Sequence, residues 1–136
     1  MDELDKRSLI QHRLATAKDE LETARILIDA GKYRKAISSA YYTIFHVASA
    51  ALLWHDQERA KHSGVESEFG SLLIKSGKIE DEYGKIYLKA RRACEQSDYD
   101  VLAVPPTAAE AQTRLAEAER FVARVERYLH EVDALK

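Results

Sequence analysis

Cysteine and proline are nearly absent from this chain of 136 residues, which has one cysteine, Cys94, and two adjacent prolines, Pro105 and Pro106. A single cysteine cannot form a disulfide within the chain, and this usage is typical of proteins of the reducing cytoplasm. Scarce proline leaves long segments free to form helices, because proline removes a backbone donor and clashes inside a helix. The scarcity of proline favours a helical protein, and the single cysteine leads us to expect it in the cytoplasm.

A strong net charge and a long apolar run are also missing. The formal net charge is -2, whereas a domain that coats duplex DNA is usually basic, so any nucleic-acid contact would need a local basic patch. The longest apolar run, about residues 40–54, is shorter than the roughly 20 residues of a membrane span. The acidic N-terminus, residues 1–5, does not resemble a signal peptide. We therefore expect no association with a membrane.

Apolar residues make up 46% of the chain and recur three and four positions apart, which predicts helices. The length fits one domain, residues 1–136. The predicted helices cover residues 5–30, 33–54, 64–75, 79–97 and 107–135. No useful stretch alternates with a period of two, so we predict no sheet. The fold class expected is all-α: an antiparallel four-helix bundle in which the helix at 64–75 is a short addition.

Residues that stop or cap helices stand between these segments. Gly31 can end the first helix in a left-handed conformation, and Gly77 follows the third. Ser63 with Glu66 and Thr107 with Glu110 have the spacing of capping boxes. The helix at 33–54 is apolar on more than one side, which predicts a central helix or one that packs on a second subunit. We expect a homodimer formed through it, because a lone bundle would not bury so much apolar surface.

Motifs for phosphate loops, zinc binding and nucleophile elbows are missing from the sequence. The five histidines do not pair at metal-ligand spacing on one helix. We therefore expect neither a metal site nor a cofactor. The histidines are His12, His46, His55, His62 and His130.

Several short segments together resemble a HEPN domain. They are GKYRKA at 31–36, AYY at 40–42 with Phe45, KHSGV at 61–65, Glu68-Phe69, and Arg92 followed by SDY at 97–99. Their order and spacing match the family from about residue 9 to residue 130. The resemblance implies a helical bundle that usually dimerises. Many such domains are metal-independent endoribonucleases of toxin–antitoxin and other defence systems, and many are encoded beside a minimal nucleotidyltransferase that neutralises them.

The family's catalytic pattern is an arginine, four to six residues, a histidine and often a tyrosine two positions later. Here Arg92 and Tyr99 match that pattern, but Ser97 stands where the histidine belongs. A serine hydroxyl cannot act as a base near neutral pH without an activating partner. His62 is a candidate substitute base, and in some relatives the tyrosine that matches Tyr99 receives an AMP group. The resemblance implies a ligand site formed by Arg91, Arg92, Ser97, Asp98 and Tyr99.

Three functions stay open at this point, and whether the chain is an enzyme is among the open questions. The first is a toxin–antitoxin component that binds RNA, a nucleotide or a nucleotidyltransferase partner rather than cutting RNA. The second is an active endoribonuclease that uses Arg92 with a non-standard histidine. The third is a module that binds a nucleotide or another small ligand and has no RNA role.

Overall fold

A computed structural model of the chain describes residues 2–57, 61–99 and 104–135, and of Tyr99 it describes the backbone alone. The elements are helices α1 (Glu3–Asp29), α2 (Tyr33–Trp54), α3 (His62–Phe69), a π-helical segment (Gly70–Ile74), α4 (Asp81–Tyr99) and α5 (Ala108–Glu131). The described ranges contain no strand. The all-α class is confirmed, and α2 has the bounds that the sequence predicted.

The long helices α1, α2, α4 and α5 run alternately up and down, as predicted for an antiparallel four-helix bundle. An ion pair of 2.9 Å between Lys18 and Glu126 joins antiparallel α1 and α5. Arg34 at the start of α2 donates to the Ser97 carbonyl near the end of α4, at 2.8 Å, so these two helices are also antiparallel. The additional helix α3 packs on α2, and the π-helical segment packs on α4. This places α3 and the π-helical segment against the α2–α4 side of the bundle.

Helix α2 is the centre of the fold and contacts α1, α3, α4 and α5. Fifteen of its 22 residues are buried within the single chain. Five aromatic residues on it stay partly exposed, namely Tyr33, Tyr42, Phe45, His46 and Trp54. The apolar surface of α2 is thus largely covered without a second subunit and gives no argument for one, so the homodimer stays a prediction. In length and composition α2 could cross a membrane, but 78% of its most apolar window is buried, as in a core helix.

The ends of the helices confirm some cap predictions and correct others. Gly31 has a φ of 75° after α1, and Thr107 accepts a hydrogen bond of 3.2 Å from the Glu110 amide. The predicted Ser63 cap is wrong: extended backbone ends at Lys61, and α3 begins before the serine, which lies inside its first turn. The predicted third helix is also interrupted by the π-helical segment.

The fifth helix is shorter than predicted at its C-terminal end. It ends at Glu131, whereas the apolar pattern predicted helix to residue 135. Asp133 has a φ of 61°, a left-handed conformation that an α-helix cannot continue through. The apolar residues that follow still pack on the bundle, since Ala134 is buried. Their periodicity therefore reflects packing rather than helix.

Two histidines, His46 and His55, lie partly buried on α2 and at its C-terminal end. Nε2 of His55 is 2.6 Å from the Tyr128 hydroxyl, which ties the end of α2 to α5. Burial lowers the pKa of His55, and the nearby Lys78 lowers it further. Burial and the charge of Arg13 likewise lower the pKa of His46. Both histidines thus favour their neutral forms in the folded chain.

We predict that substituting the N-cap of α5, Thr107→Ala, lowers the free energy of unfolding by about 1 kcal/mol, because the Glu110 amide loses its acceptor. Urea denaturation followed by circular dichroism measures this change. Thr113→Ala in the same helix is the control, since its exposed hydroxyl contacts only the carbonyl of Ala109. Equal losses in the two variants would show that the cap contributes nothing.

We predict that the protein loses stability as the pH falls from about 7.5 to about 5.5. The unfolded histidines, with a pKa of about 6.5, take up protons before the folded ones do, so the stability present above that pH is lost below it. Urea denaturation at both pH values measures the loss. His55→Gln does not titrate but can still bond to Tyr128, so it should lose less. His12→Gln, at an exposed position, is the control. If His55→Gln loses as much unfolding free energy between the two pH values as the wild-type protein does, His55 is not a source of the pH dependence.

Candidate functional site

A cavity of about 770 Å³ lies between α2, α3 with its π-helical segment, and α4. We call it the α2–α3–α4 cavity. Its size is within the range of small-ligand sites, about 300–1,000 Å³. The lining residues are mostly polar, with two tyrosines from α2: Tyr41, Tyr42, His62, Ser63, Glu66, Ser67, Gly70, Ser71, Lys75, Arg91, Cys94, Glu95 and Asp98. The volume suffices for one small ligand such as a nucleotide.

Helical spacing explains which α4 residues reach this cavity. Arg91, Cys94 and Asp98 are three and four positions apart and therefore share one face of the helix. The same face contains Tyr87, which is buried and packs in the core. The opposite wall comes from α3 and the π-helical segment, a kind of turn that is frequent at functional sites. The cavity is thus assembled from separate parts of the chain.

Arg91 is held in place by two carboxylates. Its Nε donates to Glu66 at 2.7 Å, and its Nη1 donates to the two oxygens of Glu95 at 3.0 and 3.2 Å. The hydrogen bonds to Glu95 and Glu66 raise the pKa of Arg91, so it stays charged. In the described part of the chain its Nη2 contacts no acceptor. The N–H donors of this nitrogen are therefore not used by the described residues.

His62, at the first residue of α3, is exposed and lies among aromatic rings. Its Nδ1 is 3.4 Å from the Tyr41 hydroxyl. Its ring centroid is 4.1 Å from that of Phe45 and 5.5 Å from that of Tyr42. Burial raises the pKa of Tyr41, so this hydroxyl stays protonated and can donate to Nδ1. In neutral His62 that bond would place the ring proton on Nε2.

The inner wall holds a polar cluster around Asp98. One carboxylate oxygen accepts from the Ser38 hydroxyl at 2.7 Å, and the other lies 3.5 Å from the Cys94 thiol. Burial raises the pKa of Cys94 to about 12, so the thiol stays protonated and is a poor nucleophile. The hydroxyl of Tyr87 is buried without a hydrogen-bond partner among the described residues. None of these groups is set up for covalent chemistry.

The structure brings together some of the predicted site residues and separates others. Arg91, Asp98 and the candidate base His62 all line the cavity, whereas Arg92 is exposed and does not line it. Ser97 is half-buried, and its carbonyl accepts from Arg34. The side chain of Tyr99 lies outside the described residues. The predicted roles of Arg92 and Tyr99 therefore stay predictions, and the arginine of the cavity is Arg91.

Sequence reasoning missed the contribution of α3 and the π-helical segment. Glu66 and Lys75 had no functional interpretation, although Glu66 holds Arg91 and Lys75 lines the same cavity. A signal for Arg91 did exist, because it follows the buried Tyr87 by four residues and so shares its helix face. No comparable signal connects α3 with α4, since that contact is tertiary.

The lining holds three carboxylates against the two cations Arg91 and Lys75, but each carboxylate already has a partner. Glu66 and Glu95 are bound to Arg91, and Asp98 is bound to Ser38. Lys75 is exposed and has no carboxylate partner in the ranges that the structure describes. Those ranges also hold no group of three or more metal-binding side chains. The arrangement is therefore suited to a small anionic group beside an aromatic surface.

Comparisons with known proteins agree with this helical arrangement. The HEPN domain family matches residues 10–128. A Methanocaldococcus jannaschii protein named "Putative toxin" is 38% identical over 128 residues, which are 94% of each chain. A UPF0332 protein of Thermotoga maritima is 27% identical over 94% of this chain and 96% of its own.

A solved structure supports the fold. The crystal structure of a Thermus thermophilus protein superposes with a TM-score of 0.76 and covers 88% of this chain and 98% of its own. At 20% sequence identity, this likeness shows the fold alone. The family match covers most of the chain, including α2, α3 and α4, which form the cavity. This chain belongs to the HEPN domain family.

Proposed function

We propose that this HEPN protein is a component of a toxin–antitoxin system and binds RNA or a nucleotide in the α2–α3–α4 cavity. The observation that carries the proposal is the position of Arg91, which lines the cavity together with Lys75 and whose Nη2 has no acceptor among the described residues. The relatives named as toxins support the role in such a system. Homodimerisation and a minimal nucleotidyltransferase partner are expectations of the same proposal, as is a cytoplasmic location.

Phosphate is the chemical group that this arginine suits best. The guanidinium is planar and always charged, and it binds phosphate oxygens with directed donors. Glu66 and Glu95 fix its orientation before a ligand arrives. Lys75 adds a second, flexible positive charge. Because both acids also repel a polyanion, we expect modest, salt-dependent affinity for a few phosphates rather than tight binding to a duplex.

We favour binding over RNA cleavage because Ser97 occupies the position of the histidine in the family's catalytic pattern. No group that could activate its hydroxyl as a base contacts it among the described residues, and its carbonyl is bound by Arg34. A catalytic proton transfer needs a group whose pKa lies near the working pH, and serine lacks one. The residues at this position therefore favour a ligand-binding role.

A second candidate function rests on the place of His62. It lines the same cavity as Arg91, so one substrate could contact both side chains. His62 could then move the proton of a ribose 2′-hydroxyl while Arg91 stabilises the charge that develops on the phosphate. This would be metal-independent RNA cleavage with a histidine outside the usual motif. A nucleotide-binding module without an RNA role is the remaining alternative.

We predict that Arg91→Ala weakens binding of a fluorescein-labelled single-stranded RNA by about 10- to 100-fold, the usual effect of losing charge-assisted hydrogen bonds. Fluorescence anisotropy at low salt measures the affinity. The matched control is Arg92→Ala, which removes an adjacent exposed arginine outside the cavity and should change the affinity by less than about twofold. Thermal melts of both variants check the fold, since Arg91→Ala also removes two ion pairs. If only Arg92→Ala loses binding, the RNA is bound by Arg92, the arginine of the family motif, and not by Arg91.

The cleavage candidate makes a separate prediction about His62. If it is the base, purified protein cuts single-stranded RNA in the presence of a metal chelator, and His62→Gln abolishes cutting. Gel analysis of a labelled strand measures this. Uncut RNA in the presence of wild-type protein that binds it would reject cleavage and leave the binding proposal standing. Binding of free nucleotides but of no RNA would favour the third alternative.

A further inference from the structure

We propose that the rings of His62, Tyr42 and Phe45 form a stacking platform for one unpaired nucleobase whose phosphate is bound at Arg91. This inference rests on the proposed function and names the unit recognised: a nucleotide with an exposed base, either free or within a single strand. The three residues, which we call the ring platform, come from α2 and from the first residue of α3.

In the ring platform, neighbouring aromatic rings contact His62 while this residue stays exposed. The ring centroids of Phe45 and His62 are 4.1 Å apart and their planes are tilted by 37°, so the imidazole is packed directly on the phenyl ring. Tyr42 meets the same imidazole edge-on, at 5.5 Å and 82°. Tyr41 lies 6.0 Å away and contributes the hydroxyl near Nδ1. His62 nevertheless stays exposed, so its ring is held by neighbours and still accessible.

The platform and the arginine are connected by a single turn of α3. His62 and Glu66 are four residues apart and share one face of that helix, separated by about one pitch of 5.4 Å. The Glu66 carboxylate is the group that holds Nε of Arg91 at 2.7 Å. The ring and the guanidinium are thus linked through one turn of α3, and we infer that the base and the phosphate of one nucleotide reach both. His62, Tyr42 and Arg91 all line the same cavity.

The chemistry of stacking selects single strands. Every base has an aromatic face, so stacking on a protein ring tolerates all sequences, and each stacked base strengthens binding by about tenfold or more. A base inside a duplex has both faces covered by its neighbours. The ring platform thus predicts preference for unpaired bases with little sequence discrimination.

The test compares two single strands of equal length and charge: a hexaribonucleotide containing the fluorescent base 2-aminopurine and the same backbone without bases. Wild-type protein should bind the first about tenfold more tightly and quench the fluorescence of the base. His62→Ala should remove the advantage and the quenching, and His62→Phe should keep both because it retains a ring. Adenosine monophosphate in a parallel titration shows whether a free nucleotide suffices or a strand is needed; in either form, binding supports the platform only if His62→Ala weakens it.

The outcomes separate this inference from the proposed function. Equal, Arg91-dependent binding of both strands would overturn the ring platform and leave phosphate binding at Arg91 intact. Binding of neither strand and no nucleotide would overturn both. His62→Phe as weak as His62→Ala would show that the histidine acts through a polar contact and not through stacking, which also overturns the platform.

Discussion

The burial of α2 by four other helices is the constraint on which the rest of the structure depends. Ser38 and Tyr41 are placed by that packing, and both belong to the buried part of α2. From there Ser38 bonds to Asp98 at the end of α4, and Tyr41 reaches His62 at the start of α3. A shift of α2 would therefore move three walls of the cavity together. The geometry of the cavity therefore depends on the packing of α2 in the core.

Arg91 forms one ion pair that joins the two walls outside α2, with Glu66, and a second within its own helix, with Glu95. Glu66 comes from α3 and Glu95 from α4, one turn after the arginine itself. Each pair is partly exposed, so each contributes little to stability. In the proposed binding role, their effect is to orient the guanidinium before a ligand arrives, which would reduce the entropy lost on binding. The same carboxylates lower the local positive potential and limit the affinity for polyanions.

Periodicity and caps predicted the fold, and the site was only partly predictable. The bounds of α2 and the Thr107 cap follow from local sequence, because apolar spacing and side-chain capping act within one segment. The Ser63 cap prediction failed because Lys61 is the extended residue before α3, and the helix already begins at His62. Successive residues on a helix point about 100° apart, so Arg91 and Arg92 lie on different faces of α4. The motif match at Arg92 therefore does not indicate the face that lines the cavity. The contact of α3 with α4 is tertiary and leaves no local pattern to read.

The proposed ligand site is the α2–α3–α4 cavity. Its most direct test is a two-dimensional NMR titration of the isotope-labelled protein with a short single-stranded RNA. Binding at this site predicts chemical-shift changes at the Gly70 and Ser71 amides and at Nε–H of Arg91, with the α1–α5 face unchanged. Changes centred on the side chain of Arg92, with the π-helical segment unaffected, would contradict it.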